Sequence, residues 1–209
     1  MPDDDEPPAN QSWQRLSVKH QPESPTWCNT AWIRNFKGDD AALALFFRRA
    51  AENVISYLAL GRSEGPPDGL LMPVGYLYRH ALELRLKALL RAAERAGCIA
   101  PAALDACRRA CQRSHVLKLL WDFALDPIKT IFPDLDESLL RRQQGLVDDL
   151  HRIDSTGEHL RYSRTQQQAI TVDAYPDSVE LRELQEAYAE LDEFLLVCWG
   201  NFSDRSGPY

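Results

Sequence analysis

YLYRHALELRLKALL, residues 76–90, sets side chains of both charge signs inside an otherwise apolar helical run. With one residue about every 100°, Leu77, Ala81, Leu84 and Ala88 form one wall, and Tyr78, Leu82 and Leu89 continue it. Arg79, His80, Glu83, Lys87 and Arg91 gather on the opposite arc. Arg79–Glu83 and Glu83–Lys87 are i,i+4 pairs, the spacing at which helical side chains meet. Two readings are open. The arc is either a solvated face laced with ion pairs or a polar site inside a helical bundle.

The segments on either side are helical too. Asp39 or Asp40 caps DDAALALFFRRAAENVISYLALG, which stops at Gly61. RSEGPPDG, residues 62–69, is a loop. The second helix is expected from near Leu71 to Gly97, with Pro73 in its first turn. Pro101 opens a shorter helix, and Ser114 is the expected N-cap of HVLKLLWDFAL. Pro127 and Pro133 mark a loop, and a helix from Asp136 to about Asp154 follows. Residues 155–177 lack helical periodicity, and AITVDAY has no second strand to pair with. Asp177 and Glu180 stand at capping-box spacing before the last helix, SVELRELQEAYAELDEFLLVCWG.

The expected fold is therefore all-α, a bundle of four to six helices over residues 39–200. Residues 1–38 are expected to form a disordered or irregular N-terminal arm, and residues 201–209 a C-terminal tail. Residues 1–25 hold five prolines and a run of acids, the composition of a disordered segment.

At 209 residues and 44% hydrophobic content the chain can build one sizeable core. No apolar run approaches a membrane span, and MPDDDEPPAN has neither the basic nor the apolar region of a signal peptide. Five cysteines without a CxxC pair suit free thiols in a reducing cytoplasm. The net charge of −7 argues against a general nucleic-acid binder. It hides an asymmetry: residues 79–118 carry nine basic groups against three acidic ones, residues 173–209 nine acidic against two basic. A local basic surface for RNA, nucleotide or an acidic partner stays open, as does an acidic last helix packed on the basic ones.

Three segments in order carry a family resemblance: RHALELRLKALL, then HVLKLLW, then DSTGEHLRY. In this order the chain resembles a HEPN-type domain of prokaryotes, over roughly residues 40–200. The resemblance implies a helical bundle, commonly dimeric, in a toxin–antitoxin or phage-defence system. Many family members are metal-independent ribonucleases. Others bind nucleotides, RNA or partner proteins without catalysis. A homodimer or larger assembly is expected, helped by the aromatic stretches around Trp27, Trp32, Trp121 and Trp199. A protein partner encoded nearby, RNA or nucleotide are the other candidate partners.

Ribonuclease members carry Arg and His separated by four to six residues. The His moves a proton while the Arg steadies phosphate charge, so the 2′-hydroxyl can attack. Arg109 precedes His115 at this spacing, as Arg152 precedes His159. These four are the candidate catalytic residues. Both pairs cross an expected helix end, and neither lies in the late helix where the family usually has its motif. A binding or assembly module is therefore the leading expectation, with an endoribonuclease as the alternative. Arg79, His80, Glu83, Lys87, Asp154, Arg161 and Tyr162 are the candidate binding residues, either as a phosphate clamp or as a buried network that fixes the bundle. No cofactor or metal site is expected: Cys107, Cys111 and His115 are spaced i, i+4, i+8, and the outer two lie about 12 Å apart on a helix.

Overall fold

A computed structural model describes residues 40–61, 68–158, 160 and 179–205. The described elements are all helices: α1 (Asp40–Ala59), α2 (Asp68–Arg95), α3 (Pro101–Arg113), α4 (Leu117–Ile131), α5 (Glu137–Ile153) and α6 (Leu181–Arg205). α2 is the axis of the bundle and packs against α1, α3, α4 and α6. Every residue from Ala81 to Leu90 is buried, so α2 is enclosed on all sides. This decides between the two readings of its polar arc. Arg79, Glu83 and Lys87 are buried rather than solvated, because residues 114–116 and the turn after α5 cover that arc.

The core follows from stripes of apolar residues at helical spacing. α4 contributes Leu117, Leu120, Trp121, Ala124, Ile128 and Ile131. α6 contributes Leu184, Tyr188, Leu191, Leu195, Cys198 and Phe202. Tyr78 of α2 and Tyr188 of α6 lie with ring centroids 4.6 Å apart. Trp121 is fully buried in this core, which removes it as a docking aromatic. Trp199 is half-buried against the core, while Trp27 and Trp32 lie outside the described residues.

Several helix boundaries differ from the sequence-based expectations. α2 starts at Asp68, so Pro73 lies within its second turn instead of its first. α4 runs through Pro127, where a loop was expected. The proline removes the helical donor to the Phe123 carbonyl, yet its ring is buried in the α4 stripe beside Ile128. Burial outweighs the lost bond. Ser114 ends α3 rather than capping α4: its N–H bonds the Ala110 carbonyl, and its Oγ accepts from the Val116 N–H. Residues 114–116 are thus an extended link between two helices. α6 continues to Arg205, so residues 201–205 are helical. Gly61 and Gly97 end α1 and α2 with φ of 64° and 69°. Asp136 caps α5 by accepting from the Ser138 N–H at 2.8 Å. Asp177 and the AITVDAY segment lie outside the described residues.

Candidate functional site

The helical ladder of α2 places Arg79, Glu83 and Lys87 on one face, two turns in length. That face meets the α3–α4 link and the turn after α5. Glu83 is the hub. Its Oε1 accepts from the Lys87 ammonium at 2.7 Å and lies 2.9 Å from Nδ1 of His115, which the α3–α4 link delivers. Its Oε2 accepts from the Arg79 guanidinium at 3.2 Å. Burial opposes charge on Glu83, but Lys87, His115 and Arg79 outweigh it and hold the carboxyl below its usual range.

Arg79 has every face engaged. Besides Glu83, its Nε donates to the Asp154 carbonyl at 2.9 Å and lies 3.4 Å from the Asp154 carboxylate. Its remaining nitrogen donates to the His115 carbonyl. Asp154 ends α5 and shapes the next turn, accepting from the Gly157 N–H at 2.7 Å and the Leu160 N–H at 3.4 Å. Gly157 has φ of 83°, and a Cβ there would meet the Arg79 guanidinium at 3.2 Å. Glycine therefore allows both the turn and the close approach of the arginine.

The remaining candidates separate. His80 turns toward α1, where its ring meets Phe47 edge-on at 4.5 Å and stacks on Tyr76 at 5.6 Å. Glu83, three residues further along α2, holds His115. Arg109 is exposed on α3, and among the described residues nothing bonds it to His115. The arginine that reaches His115 is Arg79, and it does so through the backbone. Arg152 is exposed at the end of α5, 3.2 Å from Asp149. His159, Arg161 and Tyr162 lie outside the described residues. Arg79 and Lys87 are buried on carboxylates, so they do not present a phosphate clamp.

His115 has the geometry of a proton-transfer group. Glu83 occupies Nδ1 while about half of the side chain is exposed. A carboxylate accepting the Nδ1 proton leaves Nε2 as the basic nitrogen. Ala106, Arg109, Ala110, Arg113, Ser114, Leu119 and Phe123 line an open groove of about 400 Å³ between α3 and α4; His115 follows Ser114 in sequence but does not line it. Arg109 and Arg113 have no carboxylate partner among the described residues, whereas Arg108 pairs with Glu94 and Lys118 with Asp148.

Two features escape a motif search. Asp192 is buried within the apolar stripe of α6, bonded to Arg85 at 2.7 Å and to Arg48 at 2.9 Å. An acid between Leu191 and Leu195 on that stripe is the signal that could have found it. His151 of α5 is partly buried, with Nδ1 unpartnered among the described residues. Burial first, then the nearby Arg79, lowers its pKa. Spacing gives no reason to single it out. Among the described residues, no three metal-ligating side chains converge, and no helix is long and apolar enough to cross a membrane. No protein-family model, curated protein or solved structure matches the chain.

Proposed function

We propose that this chain is a HEPN-like module of a prokaryotic defence or toxin–antitoxin system that binds nucleic acid or nucleotide and works within a homodimer or a larger complex. The observation that carries the binding reading is the pair of unneutralised arginines, Arg109 and Arg113, in the groove between α3 and α4. Six of the nine basic residues of segment 79–118 are spent on carboxylates: Arg79 and Lys87 on Glu83, Arg85 on Asp192, Arg91 on Asp40, Arg108 on Glu94 and Lys118 on Asp148. What remains available is this α3 surface, and phosphate is the anion for which such exposed guanidinium groups are suited. The defence setting and the assembly rest on the resemblance of the α2, α4 and DSTGEHLRY segments. The test is fluorescence anisotropy with a labelled RNA oligonucleotide and with labelled ATP at several salt concentrations. Arg109→Glu with Arg113→Glu is expected to weaken binding and flatten its salt dependence. Absence of binding, or binding indifferent to the reversal, overturns the reading.

A specific contact favours a second reading, a metal-independent endoribonuclease. Glu83 fixes Nδ1 of His115 at 2.9 Å, the arrangement that leaves Nε2 to take a proton from a 2′-hydroxyl. In this reading RNA is cut in the presence of a chelator, and His115→Ala lowers the rate by about 10²–10⁴ while the helical signal persists. A wild-type protein that cuts no RNA refutes it.

A further inference from the structure

A second cleft, of about 650 Å³, lies between the end of α5 and the start of α6. Its floor is two apolar rows at helical spacing: Leu146, Leu150 and Ile153 on α5, and Leu184 and Ala187 on α6. Leu150 and Leu184 are buried, while Leu146, Ile153 and Ala187 are only half-buried, so apolar surface is left facing the cleft. The rim is acidic. Glu180 and Glu183 are exposed and have no cation partner among the described residues. Asp149 is paired with Arg152 at 3.2 Å, which leaves two unneutralised carboxylates above an apolar floor.

Length and charge select the occupant. From Leu146 to Ile153 the α5 wall covers about 11 Å at 1.5 Å per residue. An amphipathic helix reads a groove through anchors at i, i+4 and i+7, the same two turns, and a floor of two helices receives a third as ridges enter grooves. The rim sets the sign: its carboxylates attract cations and repel nucleic acid and anionic lipid. A second copy of the chain offers the wrong chemistry among the described residues. The exposed Leu196 and Val197 of α6 stand one turn from Glu193, and Leu119, beside Arg113, is itself the wall of a groove.

We infer that the α5–α6 cleft docks a basic amphipathic helix of a partner protein. The apolar stripe of the guest lies along Leu146, Leu150 and Ile153, and the small Ala187 leaves room for a large side chain. Lysines or arginines flanking that stripe meet Glu180 and Glu183. The apolar contact supplies the holding energy, and the charges choose the partner. This surface is separate from the nucleic-acid reading, because Arg109 and Arg113 line a different groove.

The experiment is an anisotropy titration of the full chain with three labelled 15-residue peptides. The first is a Lys- and Leu-rich helix with leucines at i, i+4 and i+7. The second has the same composition scrambled so that no apolar stripe forms, and the third keeps the first pattern with Glu in place of Lys. The first is expected to bind, and the other two at least about tenfold more weakly. Ala187→Trp, which fills the cleft, and Glu180→Lys with Glu183→Lys, which reverses its rim, should each remove most of that binding. Glu193→Lys, an exposed reversal on α6 outside the cleft, should leave it within about twofold. Ala187→Trp is scored beside its circular dichroism melt, and the exposed Glu180 and Glu183 keep the test valid if it unfolds. Equal binding of the scrambled peptide, or an equal loss in Glu193→Lys, shows attraction to an acidic chain only and overturns the site, as does no binding at all. Self-association in sedimentation that Ala187→Trp abolishes gives the cleft to a second copy and overturns the partner helix. The RNA titration of Arg109→Glu with Arg113→Glu is read separately, so either reading can fail alone.

Discussion

Replacing Glu83 with alanine tests whether this carboxylate organises the bundle. It is nearly fully buried and accepts from Lys87 at 2.7 Å, His115 at 2.9 Å and Arg79 at 3.2 Å. Arg79 would keep the Asp154 carboxylate and two backbone carbonyls, and the half-exposed His115 ring can turn to water. Lys87, only 7% exposed, would be left as a buried cation facing a hole. Breaking a buried pair from one side costs about 3–5 kcal/mol. With a urea m-value of about 2 kcal/mol/M, the midpoint should fall by about 2 M. The double replacement Glu83→Leu with Lys87→Met should be less destabilised than Glu83→Leu alone, because the orphaned charge is removed too. The same carboxyl sets an acid limb. Its folded pKa lies below the ordinary 4.5, so the unfolded chain takes up the proton first and stability is lost as pH falls below that value. Glu83→Gln should flatten this loss. A Glu83→Ala midpoint within about 0.5 M of wild type, or strict additivity in the double variant, would refute the hub.

Gly157→Ala places a Cβ 3.2 Å from the Arg79 guanidinium at φ of 83°. The left-handed conformation alone should cost about 1–2 kcal/mol, visible as a lower thermal midpoint; an unchanged midpoint counts against the close approach. Asp192→Ala strands Arg85, which is 2% exposed, while Arg48 keeps Glu52 at 2.7 Å. A loss of about 3–5 kcal/mol in urea is expected, and Asp192→Ala with Arg85→Met should recover part of it. Burial pushes the Cys198 thiol up to about 12. Alkylation at pH 8 followed by peptide mass mapping should therefore modify half-buried Cys98 well before Cys198 in the folded protein and at similar rates in denaturant. Equal rates in the folded protein would contradict the burial.

The helical class was legible because its signals are local. Apolar spacing marks each helix, Gly61 and Gly97 stop two of them, and Asp136 starts another. Pro127 and Ser114 misled for the same reason. Local rules read a proline as a break and a serine before an apolar run as a cap. At Pro127 the deciding energy is the burial of its ring in the core stripe, which only tertiary packing supplies. At Ser114 the hydroxyl serves the extended link, and α4 begins three residues later.

The site was legible as a list and not as a geometry. The i,i+4 ladder of Arg79, Glu83 and Lys87 lies within one helix, so its contacts follow from spacing. Whether that ladder meets water depends on what covers α2, and the covering groups come from 32 and 75 residues away in sequence. The Arg109–His115 spacing fails for a related reason. A fixed interval predicts a shared face only within an unbroken helix, and the extended residues 114–116 destroy the phase between them. The charge sum over residues 79–118 misleads as well, since it counts buried, neutralised cations with exposed, unneutralised ones. Subtracting Arg79, Arg85, Lys87 and Arg91 moves the available positive charge from α2 to α3. It also makes Glu83 both the support of the bundle and the orienter of His115. Loss of activity in a Glu83 variant is therefore informative only beside its unfolding curve. His115→Ala, which removes a half-exposed ring and leaves the Glu83–Lys87 and Arg79–Asp154 pairs in place, separates chemistry from folding.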